Sequence, residues 1–126
     1  MGQPNTFLTS LTFVLAASAL SFFPNLAHAE EPSSADRATA RTLAQEGYEA
    51  LRDKDFSTAV DRYQRALALV HAPTLLRDLA RAQVGLGKLV DAHENYSLIL
   101  REGVAADAPQ PWVKAVADAK AEIGGI

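Results

Sequence analysis

Asp91, His93 and Ser97 are the residue types of a nucleophilic triad within one short stretch, and Asp53 and Asp55 place two carboxylates side by side. A triad needs the carboxylate to orient the imidazole and the imidazole to reach the hydroxyl. Helical positions two apart point in different directions, so Asp91 cannot orient His93. Paired catalytic carboxylates need a buried cleft that shifts their pKa values, whereas Asp53-Lys54-Asp55 reads as an exposed turn. His71 and His93 have no second histidine or carboxylate at metal-ligand spacing, and His28 lies in the first thirty residues. The chain has no cysteine, which excludes disulfides, thiolate catalysis and cysteine-held metals. No Gly-rich phosphate loop follows a strand, because no strand is predicted. The residues therefore point away from catalysis, and neither cofactor nor metal is expected.

The charges, 12 Lys and Arg against 15 Asp and Glu, give a formal net charge of −3. That balance offers no whole-molecule attraction to nucleic acid or anionic lipid. From Phe7 to Phe23 the chain carries no charge; it breaks at Pro24 and reaches Ala27-His28-Ala29, followed by Glu30-Glu31. Small residues at −3 and −1, Ala27 and Ala29, fit a signal-peptidase site. Residues 1–29 thus read as a signal peptide, and the mature protein is expected to be exported, periplasmic or secreted, with no stable membrane insertion after cleavage. An uncleaved anchor is the competing reading, because no Lys or Arg precedes the apolar run. Thr9, Ser10, Thr12, Ser18 and Ser21 oppose it, as does a run at the short end of a spanning length.

Residues 30–35 form a polar lead, and 36–126 one small domain. Ser33 or Ser34 can cap a first helix that runs to about Asp53 with Leu43, Gly47, Ala50 and Leu51 on one face. Asp55 caps a second, in which Phe56, Val60, Tyr63, Leu67 and Val70 follow a 3.6-residue stripe. Pro73 opens a third with Leu75, Leu76, Leu79, Ala80 and Val84, ended by Gly85-Leu86-Gly87. Leu89 begins a fourth with Ala92, Tyr96, Ile99 and Leu100, which stops at Gly103. Pro111 opens a fifth with Trp112, Val116, Ala119 and Ile123 on one side. The expected class is all-α with five helices.

The first two helices and the next two repeat one phrase. Gly47 to Ala80, Phe56 to Leu89, Ala59 to Ala92 and Tyr63 to Tyr96 are each 33 residues apart. Such a period marks stacked helical hairpins, in which small residues let axes approach and aromatics fill the gap between layers. The pattern resembles the tetratricopeptide repeat (TPR). Repeat-packing positions would be Leu43, Gly47, Phe56, Ala59, Tyr63 and Ala66, then Leu76, Ala80, Leu89, Ala92 and Tyr96. Ala50 and Gln83 stand where that family usually has tyrosine, Ile99 replaces a small residue, and the period is one short of the usual ~34.

The resemblance implies a right-handed α-solenoid of antiparallel hairpins, with repeats at about 40–72 and 73–105 and a capping helix at about 111–123. It also implies a concave groove lined by Arg41, Tyr48 and Arg52 of the first helix and Arg77 and Arg81 of the third. Arginines gathered there would favour carboxylates through bidentate hydrogen bonds. They could instead be solvated side chains paired with Glu46, Glu49 or Asp78 along their own helices. The function expected is a non-enzymatic adaptor or scaffold that holds another envelope protein or peptide. The alternative is a self-assembling homo-oligomer stacked through the fifth helix. Trp112 is expected to pack on the fourth helix or, failing that, to stand exposed as an interface anchor.

Overall fold

The computed structural model describes Gly2 and residues 30–126; the expected signal peptide and its Ala27/Ala29 site lie outside them. The described residues form five α-helices and no strand: α1 Ser34–Arg52, α2 Phe56–Leu69, α3 Pro73–Gly85, α4 Leu89–Glu102 and α5 Gln110–Glu122, followed by a short 3-10 turn, Ile123–Gly125. No helix among them is long and apolar enough to cross a membrane.

Local chemistry sets most helix ends. Ser33 and Asp36 form a reciprocal capping box at the start of α1: the Ser33 hydroxyl accepts from the Asp36 N–H at 3.0 Å, and the Ser33 N–H donates to the Asp36 carboxylate at 3.2 Å. Two otherwise orphaned donors are thereby satisfied. The Asp55 carboxylate accepts from the Thr58 side chain and N–H at the head of α2, and this holds its pKa below the ordinary value. Pro73 occupies the first turn of α3, where its missing N–H costs nothing. Gly103, at φ 60°, releases the chain from α4 in a conformation that side chains disfavour.

The core consists of two clusters that share α3. Its Leu75, Leu79 and Ala82 pack with Ala40, Leu43, Ala59, Val60, Tyr63 and Ala66 of α1 and α2. Its Leu76 and Ala80 pack with Ala92, Tyr96 and Ile99 of α4 and Ala119 of α5. Leu75/Leu79 and Leu76/Ala80 are two i,i+4 stripes on neighbouring faces, so α3 buries two faces at once.

Two glycines are placed by ring contacts. A Cβ on Gly47 would lie 3.0 Å from the Tyr63 ring, the close approach expected there. A Cβ on Gly85 would overlap the Phe56 ring, so Gly85 serves packing as well as ending a helix. One expected packing residue fails: Leu89, the counterpart of Phe56, is 45% exposed. The fifth helix meets α4 through Ala92, Tyr96 and Ile99, and leaves the first residue of α4 in solvent.

Tyr63 and Tyr96 are equally buried but not equally satisfied. The Tyr96 hydroxyl donates to Glu122 at 2.6 Å, while the Tyr63 hydroxyl is buried without a hydrogen-bond partner. Burial, with the Asp78 charge nearby, pushes the Tyr63 phenol well above its ordinary pKa. An unsatisfied buried hydroxyl is a liability, so Tyr63→Phe is expected to leave stability unchanged or raise it by up to ~1 kcal/mol. Urea unfolding measures this, and a loss above that size would mean that the hydroxyl has a partner.

Candidate functional site: a cleft at the ends of α1, α3 and α5

The five residues expected to share a groove separate into three environments. Arg77 and Arg81 face carboxylates of α5. Arg77 donates to Asp78 at 2.8 Å and to Asp118 at 3.0 Å. Arg81 grips Glu122 through two nitrogens, at 3.0 and 2.5 Å, and reaches Asp118 at 3.3 Å and Asp78 at 3.4 Å. Lys114 donates to Asp118 at 2.8 Å. The cluster thus holds three cations and three carboxylates, with no net charge to offer an anion. The Glu122 carboxyl is held below the ordinary range by its bonds from Arg81 and then Tyr96, and Glu122 in turn raises the Arg81 pKa further. Asp78 is the partner expected along α3, whereas the α5 partners lie about 40 residues along the chain, where no helical spacing reveals them. Both arginines also line a second cleft, of about 560 Å³, with Gln110, Pro111 and Lys114.

Tyr48 and Arg52 form a second environment. The Arg52 guanidinium lies over the Tyr48 ring, 5.9 Å from its centroid, on an exposed part of α1. This weak cation–π pair leaves both side chains in water.

Arg41 opens onto a different cleft, of about 690 Å³, which none of the other four lines. The floor is apolar: Ala40 and Ala44 of α1, Val70 and Ala72 between α2 and α3, and Leu75 of α3. Trp112, at the start of α5 and 37% exposed, forms part of the wall. Expected either to pack on the fourth helix or to stand exposed, the ring stands partly exposed and lines this cleft. The rim carries Glu31, Arg37, His71 and Thr74. Arg37 pairs with Glu31 at 3.3 Å and donates to the Pro32 carbonyl at 3.1 Å. His71 meets Glu102 of α4 at 2.7 Å. Arg41 makes no hydrogen bond or ion pair among the described residues.

The sequence signal for this cleft was faint. Trp112 stands out as the single tryptophan, but nothing in its spacing says that α1 lies opposite. Of the triad candidates, Ser97 approaches the His93 Nδ1 at 3.4 Å on an exposed helix face, and Asp91 is not part of the contact. No group of three or more His, Asp or Glu among the described residues could hold a metal ion. Comparison with protein-family models, with curated proteins and with solved structures gave no match.

Proposed function

We propose that the chain is a non-enzymatic protein–protein interaction module, a small exported adaptor or scaffold of the cell envelope, which holds a peptide or protein segment in the cleft between α1, α3 and α5. In this reading the helices are TPR-like antiparallel hairpins in a right-handed solenoid, with α5 as the cap. The cleft carries the reading: an apolar floor, a half-open indole and one uncompensated guanidinium are what a recognition pocket needs, with a few polar groups to fix orientation. The 33-residue repeat supports it, since stacked hairpins form continuous concave surfaces.

The alternative, self-assembly through α5, needs that helix's apolar stripe to be available. Val116, Ala119 and Ile123 instead pack on α3 and α4 of the same chain, leaving mainly Trp112 and Val113 open. This favours the adaptor.

Site-specific photo-crosslinking in the producing cell tests the choice, with the probe at Ala44 and at Thr74 and a control at Lys120, an exposed residue of α5 outside the cleft. One foreign envelope protein captured from both cleft positions, and not from the control, is the expected result. Products made only of two copies of this chain would shift the reading to the assembly module. Labelling no stronger in the cleft than at the control would overturn both.

A further inference from the structure

We infer that the cleft's occupant is an apolar group bearing one carboxylate, such as the terminal residue of a polypeptide or a small organic acid; this rests on the binding role proposed above. The argument is one of charge and size. Four ionisable side chains line the cleft, Glu31, Arg37, Arg41 and His71. Glu31 answers Arg37 at 3.3 Å, and His71 is turned to Glu102 at 2.7 Å. One positive charge, Arg41, is left over beside a floor of alanine, leucine and indole. A cationic ligand would meet like charge there, and a neutral one would gain nothing from the guanidinium's charge. A carboxylate matches its planar fork with two parallel hydrogen bonds, and the Arg41 side chain is exposed and able to make them.

A volume of about 690 Å³ sets the scale. It lies within the ~300–1,000 Å³ typical of small-ligand pockets. That accommodates one or two residues of a chain or a compact acid, and not a folded segment. An aromatic or branched aliphatic body suits the wall, because Trp112, Leu75 and Ala44 line the same cleft.

The single tryptophan is the reporter. The chain from Glu30 to Ile126 is titrated while Trp112 emission is followed, with phenylacetate, phenylacetamide, and a decapeptide ending in phenylalanine as free acid and as amide. Both acids are expected to shift the emission, and each amide to bind at least about tenfold more weakly. Arg41→Gln should erase the difference between acid and amide; since this side chain has no partner among the described residues, circular dichroism should be unchanged. Glu31→Gln should tighten acid binding by uncovering Arg37. Phenylacetate as strong as the acid peptide identifies a small-acid site, whereas a peptide about tenfold stronger identifies a chain terminus. Equal binding of acid and amide, or no emission change with any probe, overturns the inference. If cleft crosslinks to a foreign partner persist in that case, the adaptor role survives and only the ligand chemistry falls. Acid binding without a crosslinked partner has the reverse meaning.

Discussion

Tyr96→Ala is expected to destabilise the fold by about 3–5 kcal/mol, the range for removing a large buried aromatic and leaving a cavity. A domain of about 100 residues has only ~5–15 kcal/mol in total, so this one change should bring the protein near the edge of folding. Tyr96 is 1% exposed and sits among Leu76, Ala80, Ile99 and Ala119, where α3, α4 and α5 meet. Truncation removes the ring from that junction and takes from Glu122 the hydroxyl that donates to it at 2.6 Å. Tyr63→Ala opens a similar void in the first cluster but strands no partner, so its cost should be smaller. Urea unfolding followed by circular dichroism measures both. A midpoint shift for Tyr96→Ala worth less than 1 kcal/mol, at unchanged slope, would mean that this ring does not hold the second cluster together.

How far the sequence could be read depended on the reach of each interaction. Ser33, Asp55, Pro73 and Gly103 act on backbone groups within a turn, so residue type and position were enough to place the ends of the helices. Gly47 facing Tyr63 was also legible, because the 33-residue offset marks both a small residue and the ring that needs the space. Gly85 carries only a helix-terminator signal in the sequence, since its second role depends on Phe56, 29 residues earlier. Leu89 shows the limit of the repeat. Its type fits a packing position, but its burial depends on whether a neighbouring helix covers it, and α5 crosses elsewhere. The cleft was the least legible feature, for Arg41 and Trp112 are 71 residues apart and outside the repeat's period.

Arg77→Met is expected to cost about 2 kcal/mol and Arg81→Met about 1 kcal/mol, although Arg81 makes more hydrogen bonds. Burial decides the order. The side chains of Arg77, Asp78 and Asp118 are 15%, 18% and 17% exposed, whereas Arg81 and Glu122 are 35% and 32% exposed. Water and salt can replace the outer pair but cannot easily reach carboxylates that lose Arg77. Asp118→Asn in the Arg77→Met background should therefore recover part of the loss, because it brings the remaining charges, Lys114 and Arg81 against Asp78 and Glu122, back into balance.

Acid gives the same cluster a second signature. Asp118 is held below its ordinary 3.8, first by the Lys114 hydrogen bond and then by the charges of Lys114, Arg77 and Arg81. Glu122 is held below its ordinary 4.5, first by Arg81 and then by Tyr96. Both folded pKa values lie under the unfolded ones, so protons bind the unfolded chain more readily. The stabilisation is complete above the ordinary values and is lost as pH falls through the depressed ones. In the Arg77→Met variant Asp118 titrates nearer its ordinary value, so stability should fall less steeply between pH 4 and pH 3 than in the wild type. Urea midpoints at pH 7, 4 and 3 test this. Parallel pH profiles would show that Arg77 does not govern the α5 carboxylates, and a larger loss for Arg81 than for Arg77 would show that bond count, not burial, sets the strength of the clasp.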